Sequence, residues 1–156
     1  MSFENVDLFP MSAGVKDDHL TLGGCDVIDL VREFGTPLYV YDEVTLRTVC
    51  REFNNEFTSR YPNTRVVYAS KAFINPFLAR LVSQEGLGLD IVSGGELAVA
   101  QTAKVPPSTI YFHGNNKSEK ELVMALDYGV GRVVLDNFFE LDQLNQIAGD
   151  MGMCQD

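Results

Sequence analysis

A strand-like run followed by a helix-like run occurs four times in succession, and this repeat restricts the folds open to the chain. The apolar, β-branched runs recur about every 22 residues, at 65–69, 87–92, 109–112 and 132–135. Each is followed by a polar or glycine-containing turn and then by apolar residues at helical spacing. Continuous apolar strands alternating with helices are typical of a parallel sheet covered by helices. The sequence therefore predicts an α/β fold.

The starts of the helix-like segments carry capping signals. Three have the spacing of a capping box or its asparagine variant: Ser93 with Glu96, Ser118 with Glu121, and Asn137 with Glu140. In such a box the first side chain accepts from a backbone N–H, and the glutamate reaches back to a second one. The fourth segment begins with Asn75 and Pro76, a cap followed by proline at the first helical position.

Four βα units leave two architectures open. They can begin a (β/α)₈ barrel or fill most of a flavodoxin-like open sheet, and periodicity alone does not decide between them. The sequence stops just past a helix-like segment, where another strand would be expected. We therefore expect an N-terminal portion of a longer chain.

The residues before these units follow a less regular pattern. Residues 1–18 are polar and are interpreted as an irregular tail or outlying segment. The expected elements are a strand at 20–22, a turn at 23–24, a helix at 26–34, a strand at 38–41 and a longer helix capped by Asp42. Gly35 and Pro37 mark the end of the first helix. The longer helix would carry an apolar stripe of Leu46, Val49, Phe53 and Phe57.

Composition excludes several classes of protein. The net charge of −10 disfavours nucleic acid and anionic lipid as partners. The N-terminus lacks a signal-peptide pattern, and no run approaches the ~18 apolar residues of a membrane span. The three cysteines, Cys25, Cys50 and Cys154, include no CxxC pair, which indicates reduced thiols rather than a metal site or disulfides. We expect a cytoplasmic protein without a metal.

Polar residues follow each of the four predicted strands. The first strand is followed by 70–72, which contains Lys71; the second contains Asp90 and leads into 93–95; 113–117 follows the third and 136–137 the fourth. Functional residues gather at the carboxyl ends of parallel strands in barrels and open sheets alike. We therefore expect these polar groups to converge on one face.

Lys71 is the most unusual residue of this set because it directly follows an apolar strand. A lysine there is expected to be partly desolvated, and burial disfavours the charged ammonium form. A neutral amine can attack an aldehyde and form a Schiff base. The alternative is a lysine that extends to solvent or pairs with Asp90 in a purely structural role.

The other candidate residues also have structural interpretations. Asp90 could instead be a buried acid whose carboxylate accepts hydrogen bonds from backbone N–H groups. A capping role explains Glu96 fully. His113 could stack on or hydrogen-bond a ligand, although a histidine in a loop is more often incidental. The glycines at 94, 95 and 114 permit tight turns, but none belongs to a phosphate-loop or dinucleotide fingerprint.

Four blocks of sequence, in order, resemble a known family. Residues 67–72 (VYASKA) resemble the cofactor-lysine segment of the fold-type III pyridoxal-phosphate (PLP) decarboxylases, the alanine-racemase-like barrels, and 86–97 (GLGLDIVSGGEL) resemble their next block. Residues 112–118 (FHGNNKS) and 34–42 (FGTPLYVYD) are similar to the diaminopimelate decarboxylases within that family.

The resemblance implies a fold, a cofactor and a reaction. The chain would be the first half of a PLP-binding (β/α)₈ TIM barrel at 35–156, and residues 1–34 would associate with a later β-domain. The enzyme would decarboxylate meso-2,6-diaminopimelate to L-lysine, the last step of lysine biosynthesis, as a homodimer. Lys71 would form the Schiff base with PLP, Asp90 would help to set its protonation, and His113 would contact the cofactor.

Alternatives to this reading come from three classes. A sister decarboxylase would act on ornithine, arginine or carboxynorspermidine; a decarboxylase-like regulatory protein would lack activity; and a flavodoxin-like domain would signal or bind. Retention of Lys71 argues against an inactive relative. The resemblance places the family's phosphate-binding loop, its pyridinium-pairing acid and its catalytic cysteine beyond Asp156. We therefore expect the 156 residues alone to be inactive.

Overall fold

The computed structural model of the chain describes residues 8–156. The chain divides into two compact units, the first ending at Glu52 and the second running from Phe53 to Asp156. The boundary falls within the long helix α2 (Glu43–Arg60). Between residues 8 and 156, no helix combines the length and apolar character needed to cross a bilayer.

The first unit contains a small antiparallel sheet of β1 (Gly14–Lys16), β2 (His19–Leu22) and β3 (Cys25–Asp26), in that order. The strand at 20–22 and the turn after it are confirmed. The interpretation of residues 1–18 as irregular is wrong for Gly14–Lys16. These residues form a hairpin with β2 because Asp17 and Asp18 both adopt positive φ, 51° and 62°. Two such residues make the tight turn that suits the twist of a hairpin, and aspartate tolerates this conformation.

Helix α1 (Val27–Phe34) begins and ends as its sequence predicts. The Asp26 side chain accepts from the N–H of Ile28 at 2.7 Å, and Gly35 ends the helix with φ 78°. The predicted strand at 38–41 is wrong: within the described chain, these residues pair with no strand, and Tyr39 is 87% exposed. An apolar run has the composition of a strand, but a strand forms only where a neighbouring strand can hydrogen-bond to it.

Asp42 caps the start of α2, where its carboxylate accepts from the N–H of Thr45 at 2.9 Å. The apolar stripe along α2 is present but not buried, since Phe53 and Phe57 remain 54% and 47% exposed. Spacing predicts which side of a helix is apolar, whereas burial requires another element packed on that side.

The second unit is a four-stranded parallel sheet with the order β4-β5-β6-β7. A helix follows each strand. The elements are β4 (Val67–Ala69), α3 (Pro76–Gln84), β5 (Gly88–Ile91), α4 (Gly94–Ala103), β6 (Ile110–Phe112), α5 (Glu119–Tyr128), β7 (Arg132–Val133) and α6 (Phe138–Asp150). Short 3₁₀ helices occupy Ser70–Ala72 and Pro107–Thr109. The predicted βα repeat is therefore confirmed in all four units.

The core of this unit lies between the sheet and its helices. Leu89, Ile91, Ile110 and Phe112 are fully buried on the strands, and Leu97, Leu122 and Leu126 are fully buried on α4 and α5. Side chains of a strand alternate between its two faces, so these strand residues define the face that the helices cover. The opposite face carries Asp90 and the residues in register with it on β4 and β6.

One of the three predicted capping boxes is reciprocal. The Ser118 hydroxyl accepts from the N–H of Glu121, and the Glu121 carboxylate accepts from the N–H of Ser118 at 2.9 Å. In the other two, the glutamate reaches one residue further back: Glu96 accepts from Val92 N–H and Glu140 from Asp136 N–H. A glutamate side chain is long enough for either donor, so spacing alone does not select one.

Candidate active site

Strand register places Asp90 in a row of residues that share one face of the sheet. Asp90 is paired with Ala69 on β4 and with Tyr111 on β6, and Tyr111 is paired with Arg132 on β7. Neighbours in register point to the same side of a parallel sheet. This row therefore lies on the face opposite the helices, just below the carboxyl ends of the strands.

Lys71 lies at the carboxyl end of β4, in the 3₁₀ turn Ser70–Ala72. Ala69 and Lys71 are exposed, whereas Ser70 between them is 1% exposed. The expectation that Lys71 is partly desolvated is wrong for this chain, because Lys71 is exposed in the 3₁₀ turn at the end of β4. Among the ion pairs of residues 8–156 none involves Lys71, so its proposed structural pairing with Asp90 is not observed. Its amine is open to an incoming ligand.

Asp90 and His113 face each other at the same edge. The backbone N–H of His113 donates to the carbonyl of Ile91 at 2.8 Å, which extends the pairing of β5 with β6 by one residue. Its Nδ1 lies 3.9 Å from Oδ1 of Asp90, beyond hydrogen-bond length. The side chains are 55% and 26% exposed, respectively. An acid and an imidazole thus stand together at the strand end with unused hydrogen-bonding capacity.

Glu96 has the structural role that capping predicts. Its backbone N–H donates to the Ser93 hydroxyl at 3.3 Å, and its carboxylate accepts from the Val92 N–H at 2.7 Å. These bonds tie the end of β5 to the first turn of α4. Glu96 therefore supports the strand end that carries Asp90.

Sequence reasoning missed a buried ion pair between Lys117 and Glu140. Their Nζ and Oε1 atoms are 2.8 Å apart, and the side chains are 1% and 6% exposed. Capping spacing identified Glu140, and Lys117 was noted only as part of the 113–117 loop. The two residues belong to different βα units, so no local pattern could have joined them.

The glutamate of the reciprocal capping box also links two helices. Glu121 accepts from the Gly94 N–H at 2.7 Å, so the first turns of α4 and α5 share one carboxylate. Hydrogen bonds from the Ser118 hydroxyl and backbone and from the Gly94 N–H hold the pKa of Glu121 below its usual value, outweighing burial. This carboxylate belongs to the structural support of the site.

Close backbone approach explains two glycines beneath the site. A Cβ at Gly88 would lie 2.3 Å from the carbonyl oxygen of Thr109. Gly114 has φ 111°, and its added Cβ would lie 3.1 Å from the Val92 carbonyl. Glycine therefore lets β5 approach β6 and lets the loop after His113 close over the end of β5.

The fold and this edge define a class of protein. Residues 46–154 match the family model described as "Pyridoxal-dependent decarboxylase, pyridoxal binding domain". The chain belongs to this family, and its cofactor is pyridoxal phosphate.

The similar proteins are more particular. The diaminopimelate decarboxylase of Bacillus methanolicus is 48% identical over 132 residues, which are 85% of this chain and 31% of that protein. The crystal structure of diaminopimelate decarboxylase from M. jannaschii has a TM-score of 0.84 and 33% identity, covering 92% of this chain and 34% of that one. A second structure of it, in co-complex with L-lysine, has a TM-score of 0.82 and 33% identity, covering 91% and 34%.

These matches assign the sheet to a barrel. The chain spans about a third of the length of the relatives it matches. Its four βα units correspond to part of a PLP-decarboxylase barrel, as the sequence predicted, and not to an open flavodoxin-like sheet. The side of the sheet that carries Asp90 is then the interior side of the barrel wall.

The residues present fit PLP by their chemistry. An aldehyde cofactor needs an accessible amine, and Lys71 offers one at the open edge. A heteroaromatic ring can pack on a flat side chain, and the half-exposed imidazole of His113 is available beside Asp90. The described part of this edge therefore supplies groups for the aldehyde and ring of the cofactor.

Proposed function

We propose that this chain forms part of a PLP-dependent carboxy-lyase that converts meso-2,6-diaminopimelate to L-lysine and CO₂. The observation that carries the proposal is the placement of an exposed lysine, Lys71, at the same strand edge as the Asp90–His113 pair. Relatives named as diaminopimelate decarboxylases support the reaction, and the relative crystallised with L-lysine supports the product.

Lys71 and Asp90 are the proposed catalytic residues. Lys71 holds the cofactor through its amine, which must be neutral to attack the aldehyde carbon. Asp90 stands on the neighbouring strand, in register with Ala69 two residues before Lys71, and its proposed role is to help set the protonation of the lysine. Bound PLP supplies an electron sink for the pair of electrons left when CO₂ departs.

His113 is proposed to contact the cofactor rather than to transfer a proton. Its ring nitrogen stands 3.9 Å from Asp90, so small movements can close or open a hydrogen bond between them. An imidazole oriented by a carboxylate offers a flat face to an aromatic ligand. This is the simplest use of an exposed histidine at the end of β6.

The wider context of the chain belongs to the same proposal. We assign residues 1–34 to a segment associated with a β-domain and 35–156 to the barrel. The proposed enzyme is a cytoplasmic homodimer that binds a small amino acid and no nucleic acid. The net charge of −10 supports the last point, since it repels phosphate backbones.

A substrate panel tests the proposed reaction. The full-length PLP-loaded enzyme, of which this chain is proposed to form part, is supplied separately with meso-2,6-diaminopimelate, L-ornithine, L-arginine and carboxynorspermidine, and CO₂ release is measured. Preference for diaminopimelate, with L-lysine as the product, supports the proposal. Preference for one of the other three substrates would assign the chain to a sister decarboxylase, and failure of all four would favour a non-catalytic relative.

A further inference from the structure

The ammonium group of Lys117 is fully used inside the protein. Its Nζ donates to the carbonyl of Gly114 at 2.7 Å, to the carbonyl of Val134 at 2.8 Å and to the carboxylate of Glu140 at 2.8 Å. An ammonium has three donors, so these partners satisfy all of them. With its side chain 1% exposed, Lys117 has no proton left for a ligand.

The carboxylate of Glu140 is equally well satisfied. Oε1 receives Lys117, and Oε2 accepts from the backbone N–H of Asp136 at 2.9 Å. Removing two charges from water is costly, and the cost is offset only where the geometry is good and the remaining polar atoms are bonded. Both conditions hold here, so the pair specifies one arrangement of the groups around it.

Those groups surround the loop that begins with His113. Lys117 fastens the Gly114 carbonyl of this loop to the end of β7, at Val134, and to the first turn of α6. On its other side the loop is held by the bond from His113 N–H to the Ile91 carbonyl, and by the close approach of Gly114 to Val92. His113 therefore lies between two anchored points.

We propose that Lys117 and Glu140 are positioning residues that aim the His113 imidazole at Asp90. The bond from Lys117, which Glu140 holds in place, fixes the Gly114 carbonyl, and Gly114 is the residue directly after His113. The consequence for cofactor attachment rests on the proposed function, whereas the effect on the loop does not. Neither residue touches the cofactor in this role.

Two variants distinguish a positioning role from simple neutralisation of a buried charge. Lys117→Met leaves the Glu140 carboxylate buried without its partner. The double variant Lys117→Met/Glu140→Gln removes both charges, and the glutamine oxygen can still accept from the Asp136 N–H. Methionine cannot donate to the Gly114 and Val134 carbonyls, so both variants lose the anchor at Gly114 and keep only the backbone bond between His113 and Ile91. Lys120→Met, on the exposed side of α5, is the matched control.

Two quantities are measured on the cofactor-free chain, namely the urea midpoint and the hydrogen exchange of the His113 amide. We expect Lys117→Met to lower the midpoint and the double variant to recover most of it. In both variants, the His113 amide should exchange at least about tenfold faster than in the wild type. The local opening that exposes this amide costs less free energy when it does not also have to break the Lys117 hydrogen bonds. Lys120→Met should change neither quantity.

A third readout connects the loop to the cofactor. Borohydride trapping of PLP on Lys71 should be several times slower in the double variant than in the wild type. If the His113 amide of the double variant exchanges at the wild-type rate, the inference is overturned. The same holds if PLP is trapped on Lys71 at the wild-type rate. If the wild type traps no PLP on Lys71 while the His113 amide responds as expected, the proposed function fails and the positioning role stands. If Lys117→Met does not fold, the double variant carries the test.

Discussion

Oδ1 of Asp90 lies 3.9 Å from Nδ1 of His113, at the carboxyl ends of adjacent parallel strands. The strand ladder carries both groups, since Asp90 is within β5 and the His113 N–H extends the pairing of β6 with β5. The strand ladder thus sets the separation of their backbones, and Lys71 stands at the end of the next strand. We therefore assign distinct roles to three residues at the ends of adjacent strands.

The first prediction concerns two acids of β5 and α4. In the full-length enzyme of which this chain is proposed to form part, Asp90→Asn should lower decarboxylase activity by at least about tenfold, because a charge on the strand next to that of Lys71 is lost. Glu96→Gln should stay within about twofold of the wild type, because its amide oxygen can still accept from the Val92 N–H. Steady-state kinetics on both variants decides the matter. Equal and severe losses would mean that Glu96 acts in the chemistry.

The second prediction is a dependence of stability on pH. The hydrogen bonds to Glu121 lower its pKa below the usual 4.5. Its carboxylate therefore contributes stability that is complete above the unfolded-state pKa and is lost as the pH falls through the lower folded-state pKa. Glu121→Gln should be destabilised near neutral pH by about 1–3 kcal/mol, and should lose less stability than the wild type between about pH 6 and about pH 3.

Urea unfolding at several pH values measures this effect. Glu119→Gln is the control, because Glu119 is an exposed acid in the same first turn of α5. Parallel curves for the wild type and Glu121→Gln across the acid range would show that the Glu121 bonds do not carry the pH dependence.

The third prediction compares two glycines. Gly88→Ala should destabilise the protein by about 1–3 kcal/mol, since the new methyl would meet the Thr109 carbonyl between β5 and β6. Gly149→Ala in α6 should stabilise it by about 0.5–1 kcal/mol, because the methyl enters open space in a helix. Thermal unfolding of both variants tests the pair. A neutral Gly88→Ala would indicate that the strands can separate at little cost.

Local patterns were sufficient to predict the four βα units, whereas the choice of a barrel over an open sheet came from the family resemblance. Apolar runs marked β4 to β7, and side chains such as Asn75 and Ser118 marked where helices begin, because both signals act within a few residues. The strand ends then placed Lys71, Asp90 and His113 at one edge. Because the βα repeat makes the four strands parallel, all four carboxyl ends lie at the same edge of the sheet.

The features that sequence could not provide depend on distant partners. The Lys117–Glu140 pair joins two βα units, and the exposure of Lys71 depends on which side of the sheet is covered. The run at 38–41 has strand-like composition, but strand formation required a neighbour that composition does not reveal. The β1 hairpin, by contrast, depended on a local feature, the left-handed conformation of Asp17 and Asp18.

The role of Lys71 is tested through its own conservative variant. Lys71→Arg keeps a positive charge at the edge but cannot attack the cofactor aldehyde, because the guanidinium stays protonated. In the full-length enzyme the variant should therefore hold PLP through noncovalent contacts alone, and gel filtration should remove more cofactor from it than from the wild type. Retention of cofactor equal to that of the wild type would mean that noncovalent contacts dominate binding.

Mapping the covalent cofactor site tests the central claim most directly. The protein is incubated with PLP, reduced with borohydride and digested, and the modified peptide is identified by mass spectrometry. We predict one modified residue, Lys71, because its exposed amine lies at the strand edge that also carries Asp90 and His113. The exposed Lys104 and Lys120 lie at the end of α4 and in α5, and the buried ammonium of Lys117 already donates three hydrogen bonds. Modification of Lys104 or Lys117 with Lys71 unmodified would contradict this prediction.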